Sequence, residues 1–240
     1  MESMSSQMDI ALIGRGKWGK NYINTLRSLG MDLEKEGLIK SRDYPELFEL
    51  PDLSGVIIAS ATDTHFAIAK EFIQKGYHAL IEKPITKTLK EALELQRLQA
   101  EHKELVIMAG HIQIYDPGYQ ELKKALPRVG TIKELGFRGS QEVARTDSTV
   151  LENWGPHPIY MFMDILGESP SNVQGKEVKK DDLDLKMYFG NSVVGKAQIG
   201  MISNQRERSF SVTGEKGTLT LDWAGQKTLT FKDLSGKETR

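Results

Sequence analysis

Asp9-Ile10-Ala11-Leu12-Ile13-Gly14-Arg15-Gly16-Lys17-Trp18-Gly19 is the stretch that decides the fold, because in it an apolar strand leads directly into the pattern G-x-G-x-x-G. In such a turn the first glycine permits the tight strand-to-helix turn, the second lets the backbone approach a pyrophosphate, and the third lets the helix pack close to the sheet. A helix that stops at Gly30 is predicted by apolar residues at helical spacing, namely Tyr22, Ile23, Leu26 and Leu29. The stretch therefore predicts the first βα unit of a dinucleotide-binding domain.

The composition excludes several classes of protein. The chain has 32 basic and 33 acidic residues and a net charge of −1, so no electrostatic footprint for nucleic acid or for an anionic membrane is expected. Cysteine is absent, which excludes disulfides, thiolate metal sites and a thiol nucleophile and is compatible with a reducing cytoplasm. No apolar run reaches transmembrane length, and residues 1–7 are interpreted as a polar lead-in rather than a signal peptide. We expect a cytoplasmic protein.

Strands and helices alternate up to about residue 115. Short apolar runs at Val56-Ile57-Ile58-Ala59, Ala79-Leu80-Ile81 and 105–109 are typical of buried parallel strands. The polar segment Thr62-Asp63-Thr64-His65 is predicted to hold a helix N-cap. A capping box at Thr88-Leu89-Lys90-Glu91 is predicted to open a further helix, with an apolar face made by Leu89, Ala92 and Leu93. This half is predicted to be a Rossmann domain.

After residue 116 the dominant pattern is the alternation of apolar and polar residues that is typical of β-strands. The strands predicted from alternating apolar residues and intervening Gly-rich turns are Leu185 to Phe189, Val194 to Met201, Phe210 to Val212 and Thr218 to Leu221. The fold class is therefore α/β plus α+β, a shortened Rossmann domain followed by a mostly antiparallel sheet domain. We expect a dinucleotide-binding domain at 1–115 and a domain for substrate binding and oligomerisation at 116–240.

Several motifs in order resemble the Gfo/Idh/MocA family of NAD(P)-dependent oxidoreductases, which act mainly on sugars and sugar derivatives. The matching motifs are Gly14 to Gly19, Ala59 to His65, Glu82-Lys83-Pro84, Gly110-His111, Gly130-Thr131-Ile132, Asn153 to His157 and Val212 to Gly217. Their wording is most similar to the branch that oxidises or reduces UDP-linked amino sugars and uronic acids for polysaccharide biosynthesis.

The resemblance implies a set of site residues. It implies contacts to NAD or NADP from Gly14, Arg15, Gly16, Lys17, Trp18, Gly19, Ser60, Thr62, His65, Glu82 and Lys83. It implies a substrate role for His111 and Tyr160, and a catalytic role for Lys83, His157 and the residue at position 153. No metal ligand set is implied.

Elementary chemistry agrees with the two catalytic candidates. Lys83 follows a strand, at the edge where open α/β sheets bind ligands, and a cation there can orient a hydroxyl and take part in proton transfer. Oxidation of a secondary alcohol requires a proton acceptor, and the imidazole of His157 titrates in a suitable range. The alternative for Lys83 is an ordinary surface lysine, and the alternative for His157 is a histidine packed in a loop between two prolines.

The chain departs from the family pattern at three places. The aspartate expected four residues before the histidine is Asn153, and the acid expected three residues after it is Tyr160. Only about 25 residues separate Gly30 from Val56, so one βα pair is predicted to be shortened or missing. If residues 37–40 replace the missing strand, Ser41 and Arg42 are candidates for a 2′-phosphate contact, whereas Glu34 and Glu36 lie near the distance expected for an acid that binds the ribose.

Two hypotheses follow. The first is an oxidoreductase that transfers hydride between a nicotinamide dinucleotide and a secondary alcohol or ketone of a sugar or sugar nucleotide. The alternative is a catalytically impaired relative that binds a nucleotide or sugar for a regulatory or assembly role. In both, the protein is predicted to form a homodimer or homotetramer through its second domain.

Overall fold

The structure is a computed structural model that describes residues 9–31, 33, 38–40, 44–140, 149–200, 207–225 and 228–239. The chain divides into two compact units, Met1–Gly110 and His111–Arg240. The division precedes the boundary expected at 115, because the 3-10 turn Ile112–Tyr115 contacts helices of the second unit. Within the described ranges no helix is long and apolar enough to cross a membrane.

The first unit is built on a five-stranded sheet in which every pairing is parallel. Its strands, in the spatial order β2-β1-β3-β4-β5, are β1 (Asp9–Ile13), β2 (Ile39–Lys40), β3 (Leu53–Ile58), β4 (His78–Ile81) and β5 (Ile107–Ala109). Its helices are α1 (Lys17–Ser28), α2 (Thr62–Gln74) and α3 (Leu89–Glu101). Ile13, Ile58, Phe72 and Ile73 lie in its core with no exposed surface. The predicted Rossmann topology is confirmed.

The predicted shortening is found at β2. This strand has two residues and is followed by the 3-10 turn Tyr44–Glu49 in the place of a full helix. It still pairs with β1, since the Leu12 N–H donates to the Leu38 carbonyl at 2.9 Å and the Gly14 N–H donates to the Lys40 carbonyl at 2.9 Å. Because β2 has one neighbour in the sheet, it forms the edge of the first unit.

Two local predictions on the helices were wrong. The capping box of α3 is present, but Leu89 and Leu93 are 75% and 54% exposed, and Leu95 and Leu98 face the core instead. Leucines occur on more than one side of α3, so periodicity alone could not select the buried side. In α2 the cap is Ala61, without a side-chain hydrogen bond among the described residues. The Thr64 hydroxyl instead donates to the Ala61 carbonyl at 2.7 Å.

The second unit is built on an eight-stranded sheet with helices packed against it. In spatial order its strands are β13 (Glu238–Thr239), β12 (Thr228–Asp233), β11 (Gly217–Asp222), β10 (Arg208–Gly214), β6 (Ile132–Ser140), β9 (Val194–Gly200), β8 (Asp182–Tyr188) and β7 (Asn172–Lys179). Its helices are α4 (Pro117–Ala125), α5 (Val150–Trp154) and α6 (Pro156–Leu166). All pairings are antiparallel except that of β6 with β9, which confirms the mostly antiparallel sheet.

Candidate functional site

The three glycines of the first turn lie in different steric environments. Gly14 has φ +117°, and a Cβ there would lie 2.4 Å from the Ala59 carbonyl oxygen. A Cβ on Gly19 would lie 2.1 Å from the Gly14 carbonyl oxygen, so the helix can approach the strand only with glycine at this position. A Cβ on Gly16 would have no heavy atom within 4 Å among the described residues. Two glycines therefore permit the close packing of protein backbone, and the third leaves open space.

The beginning of α1 fits an anionic group in that space. Gly16 is the N-cap, and neither a side-chain cap nor an acidic residue in the first turn is present in this fully described 12-residue helix. The first N–H groups of a helix have no partner within the helix and carry partial positive charge. Lys17 is exposed and Trp18 is half-buried beside them. These residues would hold the pyrophosphate of a dinucleotide.

The Glu82-Lys83-Pro84 segment follows β4 at the carboxyl edge of the sheet. Glu82 is only 4% exposed. Its Oε1 accepts a hydrogen bond from the Tyr22 hydroxyl at 2.7 Å, and its Oε2 accepts one from the Lys83 backbone N–H at 3.0 Å. Burial and the Glu82 carboxylate raise the pKa of Tyr22 well above its ordinary value, so Tyr22 stays a donor. The buried carboxylate thereby links α1 to the backbone of Lys83.

His65 connects the loops that follow β3 and β4. It is 1% exposed, its Nδ1 lies 2.9 Å from the Pro84 carbonyl oxygen, and its Nε2 lies 3.2 Å from the Ser60 carbonyl oxygen. Both ring nitrogens therefore face backbone carbonyls, and a neutral imidazole donates to one of the two, which is the geometry of a packing residue. Thr62, the first residue of α2, is half-buried. The structure thus places Gly14, Ser60, His65 and Glu82 at the carboxyl edge of the first sheet, where Gly14 packs against Ala59 and Ser60, and His65 contacts Ser60 and Pro84.

Arg15 reaches from the glycine turn to β2, and its predicted contact to the pyrophosphate stays a prediction. Its Nη2 donates to the Ile39 carbonyl of β2 at 3.0 Å, 24 residues away in the chain. The other candidates near β2, Glu34, Glu36, Ser41 and Arg42, lie outside the described residues.

In the second unit, His157 lies in a cluster of aromatic side chains on α5 and α6. His157 is 6% exposed and Asn153 is 8% exposed. The His157 ring contacts Trp154 edge-on at 5.8 Å between centroids and Tyr160 edge-on at 6.2 Å. The i, i+3 spacing within α6 brings the rings of residues 157 and 160 to one side of the helix.

Tyr160 is fixed by two neighbours. Its ring stacks on His111 with 3.9 Å between centroids and 25° between planes. Its hydroxyl donates to the side-chain carbonyl of Gln113 and accepts from the Gln113 backbone N–H at 3.3 Å. Burial raises the pKa of Tyr160 above its ordinary value. The two predicted substrate residues, His111 and Tyr160, are thus in contact with each other.

A carboxylate one helical turn further on is already engaged. Asp164 Oδ2 accepts from the Tyr119 hydroxyl at 2.9 Å and from the Lys123 ammonium at 2.9 Å. Positions 153 and 160, where the resemblance implies acids, carry an amide and a phenol. Sequence reasoning missed Gln113 and Tyr22; a polar residue in an apolar run was the only signal for Gln113, which is 6% exposed.

Comparisons with known proteins agree with this geometry. Residues 8–111 match the model of the oxidoreductase family with an NAD-binding Rossmann fold, Gfo/Idh/MocA. Residues 8–111 belong to this family. The resemblance seen in the motifs is confirmed for these residues, which form nearly the whole of the first unit.

The relatives of this chain include an inositol dehydrogenase and a UDP-N-acetylglucosamine dehydrogenase. Inositol 2-dehydrogenase 2 of Saccharopolyspora erythraea is 26% identical over 184 residues, covering 67% of this chain and 54% of the relative. UDP-N-acetylglucosamine 3-dehydrogenase of Acidithiobacillus ferrooxidans is 38% identical over 88 residues, covering 36% of this chain and 28% of the relative. The matches span about half the length, or less, of these curated relatives.

A solved structure shows that the fold similarity extends to both units. Biliverdin reductase of Synechocystis, crystallised with biliverdin and NADP+, has a TM-score of 0.77 and 20% identity. The alignment covers 96% of this chain and 83% of that one. At this identity the likeness concerns the fold alone, and it includes the antiparallel sheet of the second unit.

Proposed function

We propose that the protein binds a nicotinamide dinucleotide, NAD or NADP, in its first unit and catalyses oxidoreduction of a secondary alcohol or ketone on a sugar or sugar nucleotide. The observation that carries the proposal is the glycine turn. Gly14 and Gly19 permit the close packing of the backbone, while Gly16 faces open space at the beginning of α1. A purely structural turn would not need glycine at position 16, because its φ is −70° and a side chain would meet nothing within 4 Å of the described residues.

The cofactor would supply the hydride acceptor or donor. The side chains of this chain would bind and orient the substrate and accept or donate the proton. The Glu82 carboxylate fixes the Lys83 backbone through the 3.0 Å hydrogen bond to its N–H. His65 lies 2.9 Å from the carbonyl oxygen of the following residue, Pro84. A lysine fixed on both sides in this way is suited to orient a substrate hydroxyl.

His157 is proposed as the group that accepts the hydroxyl proton. Its ring is held edge-on between Trp154 and Tyr160, which limits its rotation. Tyr160 and His111 form an aromatic stack, and such a surface suits the apolar face of a sugar ring. The nucleotide-sugar substrate class is favoured by the 38% identity with the UDP-N-acetylglucosamine enzyme, and inositol dehydrogenases favour a polyol as the alternative within the same reaction class.

The cofactor site is tested with Gly16→Val. Because the added Cβ meets no heavy atom within 4 Å among the described residues, the fold should be retained while the side chain fills the space proposed for the pyrophosphate. We expect loss of NAD(H) and NADP(H) binding in a calorimetric or fluorescence titration. The matched control is Gly175→Val on β7, where the nearest contact is the Leu185 side chain at 3.4 Å. Cofactor affinity that survives in Gly16→Val would refute the placement.

A second candidate function is favoured by the residues around His157. Asn153 cannot supply the negative charge that stabilises an imidazolium, and removal of a comparable carboxylate from a serine-protease triad costs about 10⁴ in rate. Tyr160 is engaged with Gln113. These features support a protein that binds its ligands and converts its substrate slowly or not at all.

The two candidates are separated by following nicotinamide absorbance with a panel of UDP-sugars and polyols. The panel is assayed with the parent protein, Asn153→Asp, Lys83→Ala and His157→Ala. If the protein is an enzyme, Asn153→Asp should raise turnover, because a carboxylate favours the protonated imidazole, and the two alanine variants should abolish it. Equal rates in the parent and Lys83→Ala would eliminate the catalytic lysine. Binding of cofactor and sugar without turnover in any variant would establish the non-catalytic function.

We further propose that copies of the chain associate through the open face of the second sheet as a homodimer or homotetramer. That face carries a groove of about 510 Å³ lined by charged and hydroxyl side chains, including Arg138, Asp184, Lys186 and Lys196. A monomer mass in light scattering at micromolar concentration would overturn this part of the proposal.

A further inference from the structure

We propose that Arg15 recognises the adenosine 2′-phosphate, and that the protein therefore selects NADP over NAD. This inference rests on the proposed function, because it concerns the same cofactor site. It differs from the sequence-based placement of Arg15 beside the pyrophosphate.

The position of Arg15 is determined by its hydrogen bond to β2. The Ile39 carbonyl accepts from Nη2 at 3.0 Å. The carbonyls of Leu38 and Lys40 both face β1, where they accept from Leu12 and Gly14. Because successive carbonyls of a strand point in opposite directions, the Ile39 carbonyl faces the outer edge of β2. The Arg15 guanidinium therefore lies at the outer edge of this short strand.

In a Rossmann fold the end of the second strand is the place where the adenosine ribose is recognised. An acid there hydrogen-bonds the 2′-hydroxyl of NAD, and an arginine nearby accommodates the 2′-phosphate of NADP. A guanidinium offers five N–H donors in a planar fork that matches phosphate oxygens. One donor is used by Ile39, and no other described residue accepts from the exposed side chain of Arg15, which leaves its other donors for a ligand.

Lys40 does not take this role in the described structure. Its ammonium lies 2.9 Å from Glu46 Oε2, in an ion pair next to the 3-10 turn. Of the two cations that the structure describes at this end of β2, Arg15 is the one without a carboxylate partner among the described residues. The charge of Arg15 is thus available to a dianionic phosphate monoester.

The experiment compares binding of four probes, NADP+, NAD+, 2′-phospho-ADP-ribose and ADP-ribose, by calorimetry; all four contain the pyrophosphate, and within each pair only the 2′-phosphate differs. The proteins are the parent, Arg15→Ala, Arg15→Lys and, as a matched control, Lys17→Ala. We expect the parent to bind NADP+ and 2′-phospho-ADP-ribose at least about tenfold more tightly than their partners without the 2′-phosphate, NAD+ and ADP-ribose. Arg15→Ala should weaken the 2′-phosphorylated probes by about tenfold to a hundredfold and the others by less than about twofold, because a charge-assisted hydrogen-bond pair is lost. The affinity of Arg15→Lys for the 2′-phosphorylated probes should lie between those of the parent and Arg15→Ala, since the charge remains and the planar fork of donors is lost.

Lys17→Ala should weaken all four probes by one common factor, because Lys17 lies at the beginning of α1, where the pyrophosphate is proposed to bind. An equal loss for all four probes in Arg15→Ala would place Arg15 at the pyrophosphate and overturn the inference. Equal affinity of the parent protein for NAD+ and NADP+ would also overturn the inference, and it would leave the proposed function intact. A parent that binds none of the four probes would refute the proposed function itself, and the inference with it. Thermal unfolding of each variant excludes a loss of fold.

Discussion

The hydrogen bond between Tyr22 and Glu82 provides a direct test of how helix α1 is connected to the Glu82-Lys83-Pro84 segment. Tyr22→Phe removes a single hydroxyl, which donates to Glu82 Oε1 at 2.7 Å. Glu82 is 4% exposed, so water cannot readily replace the lost donor. Hydrogen bonds to charged groups contribute about 1.5–3 kcal/mol, and the lower half of this range applies here because Oε2 keeps the Lys83 N–H. We expect the free energy of unfolding to fall by about 2 kcal/mol.

The chain contains a matched control for this variant. The Tyr44 hydroxyl donates to Glu71 Oε2 at 3.0 Å, and in this pair Glu71 is only half-buried. Solvent can hydrate Glu71 after Tyr44→Phe, so the expected loss is below about 1 kcal/mol. Both substitutions remove the same atom from a tyrosine–glutamate pair in the first unit, and they differ in the burial of the carboxylate.

The assay is urea unfolding followed by circular dichroism, with both variants compared at equal m-value. A change in m would indicate that the two units unfold separately, in which case hydrogen exchange of peptides from β1 and β4 replaces the global measurement. The reasoning is refuted if Tyr22→Phe and Tyr44→Phe lose the same free energy. That result would mean that the buried Glu82 carboxylate finds another donor.

Three further outcomes are expected. Gly19→Ala should lower the free energy of unfolding by several kcal/mol, about 2–4, in the same urea experiment, because its Cβ would lie 2.1 Å from the Gly14 carbonyl oxygen; an unchanged midpoint would contradict the close approach of α1 to β1. Thr88→Ala should cost about 1 kcal/mol, since the Thr88 hydroxyl accepts from the Glu91 N–H at 3.2 Å in a capping box. The pKa of Tyr119 is raised by burial and by Asp164, so the unfolded chain releases this phenol proton above about pH 10 while the native state keeps it. Stability should therefore fall as the pH rises above about 10, and Tyr119→Phe should reduce that slope by up to about 1.4 kcal/mol per pH unit; equal slopes would contradict the assignment.

The first unit could be predicted from the sequence because its signals are local. The roles of Gly14, Gly16 and Gly19 are fixed by a strand, a turn and a helix that are contiguous in the chain, and the structure shows a different steric environment for each of them. The shortening of β2 followed from the number of residues available between Gly30 and Val56. Such distance constraints do not depend on tertiary packing.

Strands without alternation could not be predicted in the same way. All eight residues of β7 are exposed, so this edge strand has no buried side that would impose a period of two. In β6 the glycines at positions 136 and 139 and several charged residues interrupt the apolar pattern, although Leu135 and Phe137 reach the core. These strands are held by their neighbours in the sheet rather than by their own composition.

The supporting contacts of the site were hidden for a related reason. Tyr22 and Glu82 are 60 residues apart in the chain, and Tyr160 and Gln113 are 47 apart. Neither pair has a sequence pattern that relates its members, and each forms only because the fold brings two elements together. Sequence reasoning therefore named Lys83 and Tyr160 as candidates, and it could not identify Tyr22 and Gln113, which complete these two hydrogen-bonded pairs.

The shortening of β2 alters the ribose end of the site more than the phosphate end. The pyrophosphate position depends on Gly16 and the beginning of α1, which are intact and independent of the length of β2. The ribose is expected at the end of β2, where the Ile39 carbonyl of the two-residue strand faces away from β1. Arg15 bonds to that carbonyl, so a residue of the glycine turn takes a place at the outer edge of the sheet. The proposed 2′-phosphate contact of Arg15 would therefore place nucleotide discrimination on the glycine turn rather than on the strand.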